Sequence, residues 1–179
     1  MFRISRSTPA YYFTAVAYNR LPIFRTDKVK QVLCDAYAEA RRNHNIIILA
    51  YVIMVDHVHL LVRADKEMKD ALRLLNGIAA RRVIQYLIDG RFDSSLLKLR
   101  GATRDRNHKH SVWQHHPDSL EIFGEDTFRQ KVEYIHQNPV RAGHVAKPEE
   151  YRFSSARLWM GGLADDEPIV TDHHRIDWR

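Results

Sequence analysis

The chain has 179 residues, 28 Lys and Arg against 22 Asp and Glu, a formal charge of +6 and a single cysteine. That length suits one domain with a full core, and the lone Cys34 excludes an intrachain disulfide or a cysteine zinc cluster and fits a reducing compartment. The basic balance suits a polyanionic partner such as nucleic acid.

In chain order, AYYFTAVAY over 10–18 is rich in aromatic and small residues and is expected to be a strand. From Thr26 the apolar residues Val29, Val32, Leu33, Ala36, Tyr37 and Ala40 recur at three and four, an amphipathic helix capped by Thr26 or Asp27 and ended by Asn45. Residues 46–54 and 57–63 are β-branched runs of strand length, joined by a tight turn or a bulge. Met68, Leu72, Leu75, Ala79, Val83, Tyr86 and Leu87 mark a long second helix with Asp65 as its cap. The stretch 89–116 is polar, basic and histidine-rich, with one apolar island at 111–113 that is expected to be a short strand. A third helix follows Asp126, with Phe128, Val132 and Ile135 on one side and Pro139 limiting its end.

The longest apolar run, 46–55, is shorter than the about 20 residues that cross a bilayer. The opening MFRISRSTPAYYF lacks a signal-peptide h-region. The expected location is cytoplasmic, with no membrane partner. The expected fold class is α+β: a ferredoxin-like split βαβ sandwich, an antiparallel sheet with helices on one face, plus an additional C-terminal helix. The opposite sheet face is expected to stay free for chemistry. Residues 1–160 are expected to form the domain and 161–179 a loosely ordered tail.

VDHVHLLV at 55–62 carries two histidines one residue apart. Alternate residues of a strand share a side, so His57 and His59 project together while Val58 and Leu60 face the other way. Two neutral imidazoles so placed can ligate one divalent cation, with Asp56 as a neighbouring or supporting ligand. Two half-exposed strand histidines bonded to water or backbone would read the same way.

YIHQNPVRAG at 134–143 places Tyr134 and Asn138 four apart on one helix face, with Lys131 on the same side. A tyrosine so placed could be plain packing; as a nucleophile, a phenol is weak and needs an activated electrophile. A cation at the histidine pair could polarise a phosphodiester for it, and the Asn138 carbonyl could complete the coordination.

HVHLL and YIHQNPVRAG together resemble the HUH single-strand transposases, and among them the REP-associated tyrosine transposases. YFTAVAYNRLPIF, VWQ at 112–114 and YRFSSARLW at 151–159 extend the likeness to about Trp159. The resemblance implies a divalent metal, Mg2+ or Mn2+, on His57, His59 and Asn138. It implies Tyr134 as nucleophile on single-stranded DNA beside a REP-like hairpin, leaving a 5′-phosphotyrosine and a free 3′-hydroxyl, and a monomer. Two positions depart from the family pattern: Asp56 stands where asparagine is common, and His144 where an apolar residue is usual.

Asp56 and Lys131 are candidates to support the metal or touch phosphate. Arg81, Arg82, Arg104, Arg106, Lys109 and Arg141, with Arg100, are candidate DNA contacts, each with a solvated surface as its plain alternative. Trp113 could stack on a base, although core packing explains it equally well. His108, His110, His115 and His116 fit no compact zinc pattern. Ser154 and Ser155 are expected to cap a short helix. The competing functions are a non-cleaving hairpin-binding module and a metal phosphodiesterase that uses water.

Overall fold

The computed structural model describes residues 1–100, 109–114, 117–163, 165, 167–169 and 171–177. Four antiparallel strands, β2 (Ala10–Val16), β3 (Ile47–Ile53), β4 (His57–Arg63) and β5 (Asp118–Ile122), form a sheet in the order β3-β4-β2-β5. Short β1 (Phe2–Arg3) pairs with β6 (Ile176–Asp177). Helix α1 (Asp27–His44) follows β2, and α2 (Met68–Asp89) follows β4. These two helices pack on each other and on the sheet, which is the expected α+β, ferredoxin-like arrangement.

The ends of α1 follow the side chains at its boundaries. Thr26 accepts a hydrogen bond from the Val29 amide, and Asn45 takes the left-handed conformation that closes the helix. Asp65 does not cap α2. It accepts instead from Asn45 and pairs with Arg63, while Glu67 stands at the cap position without a side-chain bond. Residues 54–56 join β3 to β4, the Met54 amide bonding to the His57 carbonyl at 2.8 Å.

Three expectations about the second half change. The fourth strand is β5, not 111–113, where Trp113 makes only an isolated bridge to Ala17. Its polar, mostly exposed sequence DSLEI lies at the sheet edge and has no apolar alternation to announce it. Helix α3 (Asp93–Arg100) lies inside the polar, basic stretch 89–116, for which no helix is expected from sequence, and buries Leu99 alone. Pro139 does not end α4 (Glu125–Arg141). It sits in the last turn, where the missing N–H costs one intrahelical bond close to the helix end and its buried ring packs with the apolar stripe.

The second sheet face is covered rather than free. The stripe Phe128, Val132, Ile135 and Pro139 has to bury itself, and α4 lies over β3 and β4 to do so. The exposed edge of β3 is closed by residues 153–155, with Ile53 donating to the Phe153 carbonyl at 2.8 Å and Ser155 to the Tyr51 carbonyl at 3.0 Å. The described part of 161–179 makes contacts with the rest of the chain. Arg41 holds the Asp172 carboxylate through two bonds of 2.9 and 3.0 Å, His173 stacks on Trp159, and Ile169 and Thr171 are buried. Among the described residues no helix is long and apolar enough to cross a membrane.

Candidate active site

Strand register sets which groups meet. Thr14 lies opposite His59 and Val16 opposite His57, so the alternation of β2 puts Tyr12 and Thr14 on the histidine side. Tyr12 and Thr14 hydroxyls lie 2.9 and 3.0 Å from His59 Nδ1, and Thr14 Oγ1 donates to the Tyr12 oxygen at 3.2 Å. His57 Nδ1 stands 2.6 Å from Asp56 Oδ1. A carboxylate accepts only, so Nδ1 carries the proton and Nε2 of the neutral ring keeps its lone pair.

Both Nε2 atoms turn toward one amide on α4. Asn138 Nδ2 is 3.0 Å from His59 Nε2, and Asn138 Oδ1 is 3.3 Å from His57 Nε2. In this amide orientation two lone pairs face each other at His57, a contact that a proton or a cation between them would satisfy. The expected trio of His57, His59 and Asn138 is therefore brought together. Among the described residues no three His, Cys, Asp or Glu side chains are grouped to hold a metal, so a third protein ligand here would be the amide oxygen. The donor set fits a divalent ion: two imidazoles and a carbonyl oxygen, each ring oriented through its far nitrogen.

His59 is 4% exposed. Burial first, and then the positive neighbourhood of His57, Arg141 and Lys131, lowers its pKa to about 3, which keeps the ring neutral at physiological pH. Burial also pushes the Tyr12 phenol up to about 12, so it stays a hydroxyl.

Tyr134 stands at the mouth of this cluster, 40% exposed, its ring centroid 5.3 Å from that of His59 and edge-on to it. Arg141 covers the Tyr134 ring at 4.5 Å and donates to the Tyr134 carbonyl at 2.6 Å. Lys131 reaches over the rings of Tyr12 and Tyr134 at 4.6 and 5.6 Å. A phenol, two cations and a polar triad thus share one opening, and that suits an anionic substrate.

The helix carrying Tyr134 is pinned from behind. His136 Nε2 lies 2.8 Å from Ser155 Oγ, and the same hydroxyl accepts from the Tyr51 amide at 2.9 Å. Ser155 thus spends its side chain on α4 and β3 instead of capping α5 (Ala156–Trp159). Burial lowers the His136 pKa to about 4.

The remaining candidates are scattered. Asp56 also pairs with Arg20 at 3.2 Å. Arg81 and Arg82 both rest on Glu39 of α1. Lys109 and Arg100 are exposed, and Trp113 is buried with its indole donating to the Asn76 carbonyl. Arg104, Arg106, His108, His115 and His116 lie outside the described residues. Tyr12 and Thr14 were not singled out from sequence, although the alternation of AYYFTAV opposite HVHLL carried the signal.

No curated protein matches the chain. Among solved structures it is similar to a REP-associated tyrosine transposase bound to a REP hairpin, at 20% identity over 88% of this chain and 84% of that one, with a TM-score of 0.63. That likeness shows the fold. A putative transposase from Deinococcus radiodurans is also similar, at 23% identity over 72% of this chain and 88% of that one, with a TM-score of 0.44. The family model of IS200-like transposases matches residues 5–138, a span that runs from before β2 through Asn138. The chain belongs to the family of IS200-like transposases.

Proposed function

We propose that the chain is a metal-dependent endonuclease and strand transferase that cleaves and rejoins single-stranded DNA beside REP-like hairpins through a 5′-phosphotyrosine at Tyr134. The observation that carries the reading is the convergence of His57 Nε2, His59 Nε2 and the Asn138 amide beside the exposed Tyr134 ring. The hairpin partner is taken from the solved relative bound to a REP hairpin.

Bound Mg2+ or Mn2+ would polarise the scissile phosphate and stabilise negative charge on its oxygens. The chain's own residues do the rest. Asp56 holds His57, and Tyr12 with Thr14 holds His59, so that both rings present Nε2. Tyr134 Oη forms the new bond to phosphorus as the bond to the 3′-oxygen breaks; the phenolic proton leaves to solvent and the 3′-oxygen gains one. Arg141 and Lys131 flank the ring and offset the phosphate charge. Rejoining is the reverse attack by a 3′-hydroxyl.

The test is a denaturing gel of wild type and Tyr134→Phe with a labelled single-stranded hairpin oligonucleotide from the flanks of the chain's own gene, with and without Mn2+. A labelled band at protein mass, present only with the metal and the tyrosine, is expected. Cleavage without that band would replace this reading with water-based hydrolysis, and binding without cleavage would replace it with a hairpin-binding module.

A further inference from the structure

Many described arginines spend their charge on a neighbour: Arg73, Arg81, Arg82, Arg129 and Arg157 each face a carboxylate. One groove differs. It lies between the β2–α1 connection, the C-terminal end of α2 and the start of α3, with a volume of about 360 Å3. Leu21, Ile23 and Leu87 give it apolar walls. Tyr86 and Phe92 stack there, centroids 5.5 Å apart and planes 24° apart, leaving Phe92 43% exposed. Arg25, Lys28 and Lys98 also line it, all exposed and none ion-paired among the described residues.

The groove is tied to the site. Its β2–α1 wall is fixed to the turn before His57: Phe24 donates to the Val55 carbonyl at 3.0 Å, Ala17 to the Asp56 carbonyl at 2.7 Å, and Arg20 pairs with Asp56. That wall is therefore anchored at the end of the sheet where His57 begins β4.

We propose that this groove binds an unpaired nucleotide of the DNA strand engaged at the candidate active site. The base stacks on Phe92 against the apolar walls, and its phosphates meet Arg25, Lys28 and Lys98. This rests on the strand-transferase reading above. An aromatic face with loose cations beside it is what a base and its phosphate need, and stacking of this kind is tolerant of sequence. A second copy fits less well, since a two-fold contact would set these three cations against the same three.

The experiment is fluorescence anisotropy of the full chain with two hairpins, one blunt and one carrying a single-stranded flank, at several salt concentrations. Wild type, Phe92→Leu and Lys28→Glu with Lys98→Glu are compared, each checked by its thermal midpoint. The charge reversal is expected to weaken binding of the flanked hairpin about tenfold or more and to flatten its salt slope by about two, leaving the blunt hairpin within about twofold. Phe92→Leu is expected to remove part of the preference for the flank, and Phe92→Tyr to restore it. Equal losses on both hairpins, or none on either, overturn the proposal. Wild type that binds neither hairpin overturns the reading beneath it. Self-association that disappears in Phe92→Leu, with unchanged DNA binding, assigns the groove to a second copy instead.

Discussion

His59 is held by two hydroxyls, and removing them one at a time or together gives unequal results. Tyr12 and Thr14 both reach Nδ1, at 2.9 and 3.0 Å, in a site where His59 and Tyr12 are both buried. Tyr12→Phe leaves Thr14 in place, and Thr14→Val leaves Tyr12, so each alone costs about 1 kcal/mol or less, the usual net worth of one hydrogen bond. The double variant strands a buried ring nitrogen with no partner, at about 1–3 kcal/mol for the nitrogen itself. The loss should therefore exceed the sum of the singles, a coupling of about 0.5 kcal/mol or more. Urea unfolding in chelator measures it. Metal affinity, followed by calorimetric titration of Mn2+, should fall about tenfold or more in the double variant, because the ring is then free to turn or to change tautomer. Additive stabilities, with Mn2+ affinity unchanged in the double variant, would refute the claim that these hydroxyls aim His59.

Acid should destabilise the metal-free protein. His59 and His136 have pKa values lowered by burial to about 3 and about 4, so below about 6.5 the unfolded chain binds protons that the fold excludes. The stability they contribute is present above that value and drains as pH falls; by pH 5 each should have cost about 2 kcal/mol, read as a falling urea midpoint, and a flat profile from neutral pH to pH 5 would contradict it. Arg141→Ala should weaken hairpin binding and lower the salt slope by about one, whereas Arg81→Ala with Arg82→Ala should do less because Glu39 already holds both. Anisotropy against salt decides it, and equal effects would mean that Glu39 releases its arginines to DNA. His136→Leu should uncouple α4 from Ser155 and lower Mn2+ affinity although it touches no ligand; unchanged affinity would make this contact a matter of packing alone.

The sequence was legible where period and chemistry coincide. The two core hairpin strands are β-branched runs of strand length, helices α1, α2 and α4 carry a helical period, and the spacing of His57, His59, Tyr134 and Asn138 puts them on faces that the fold brings together. β5 and α3 were missed because a short edge strand and a short surface helix bury little and need no apolar pattern. Coverage of the histidine face followed from α4 having its own stripe to bury, which no local window shows. Tyr12 and Thr14 emerged only with the pairing register of β2 on β4. The arginines of α2 looked like phosphate contacts because their partner, Glu39, lies on another helix.

The central claim is that Tyr134 is the group that takes the DNA phosphate. After reaction with a single-stranded hairpin oligonucleotide and Mn2+, nuclease trimming and trypsin should release a peptide spanning residues 132–141, in which Tyr134 is the only tyrosine. Mass spectrometry of that peptide tests the claim directly. A nucleotide-phosphate adduct on Tyr134, absent when Mn2+ is withheld, is the result the account predicts. Cleaved DNA with this peptide unmodified, or an adduct on another residue, would contradict it.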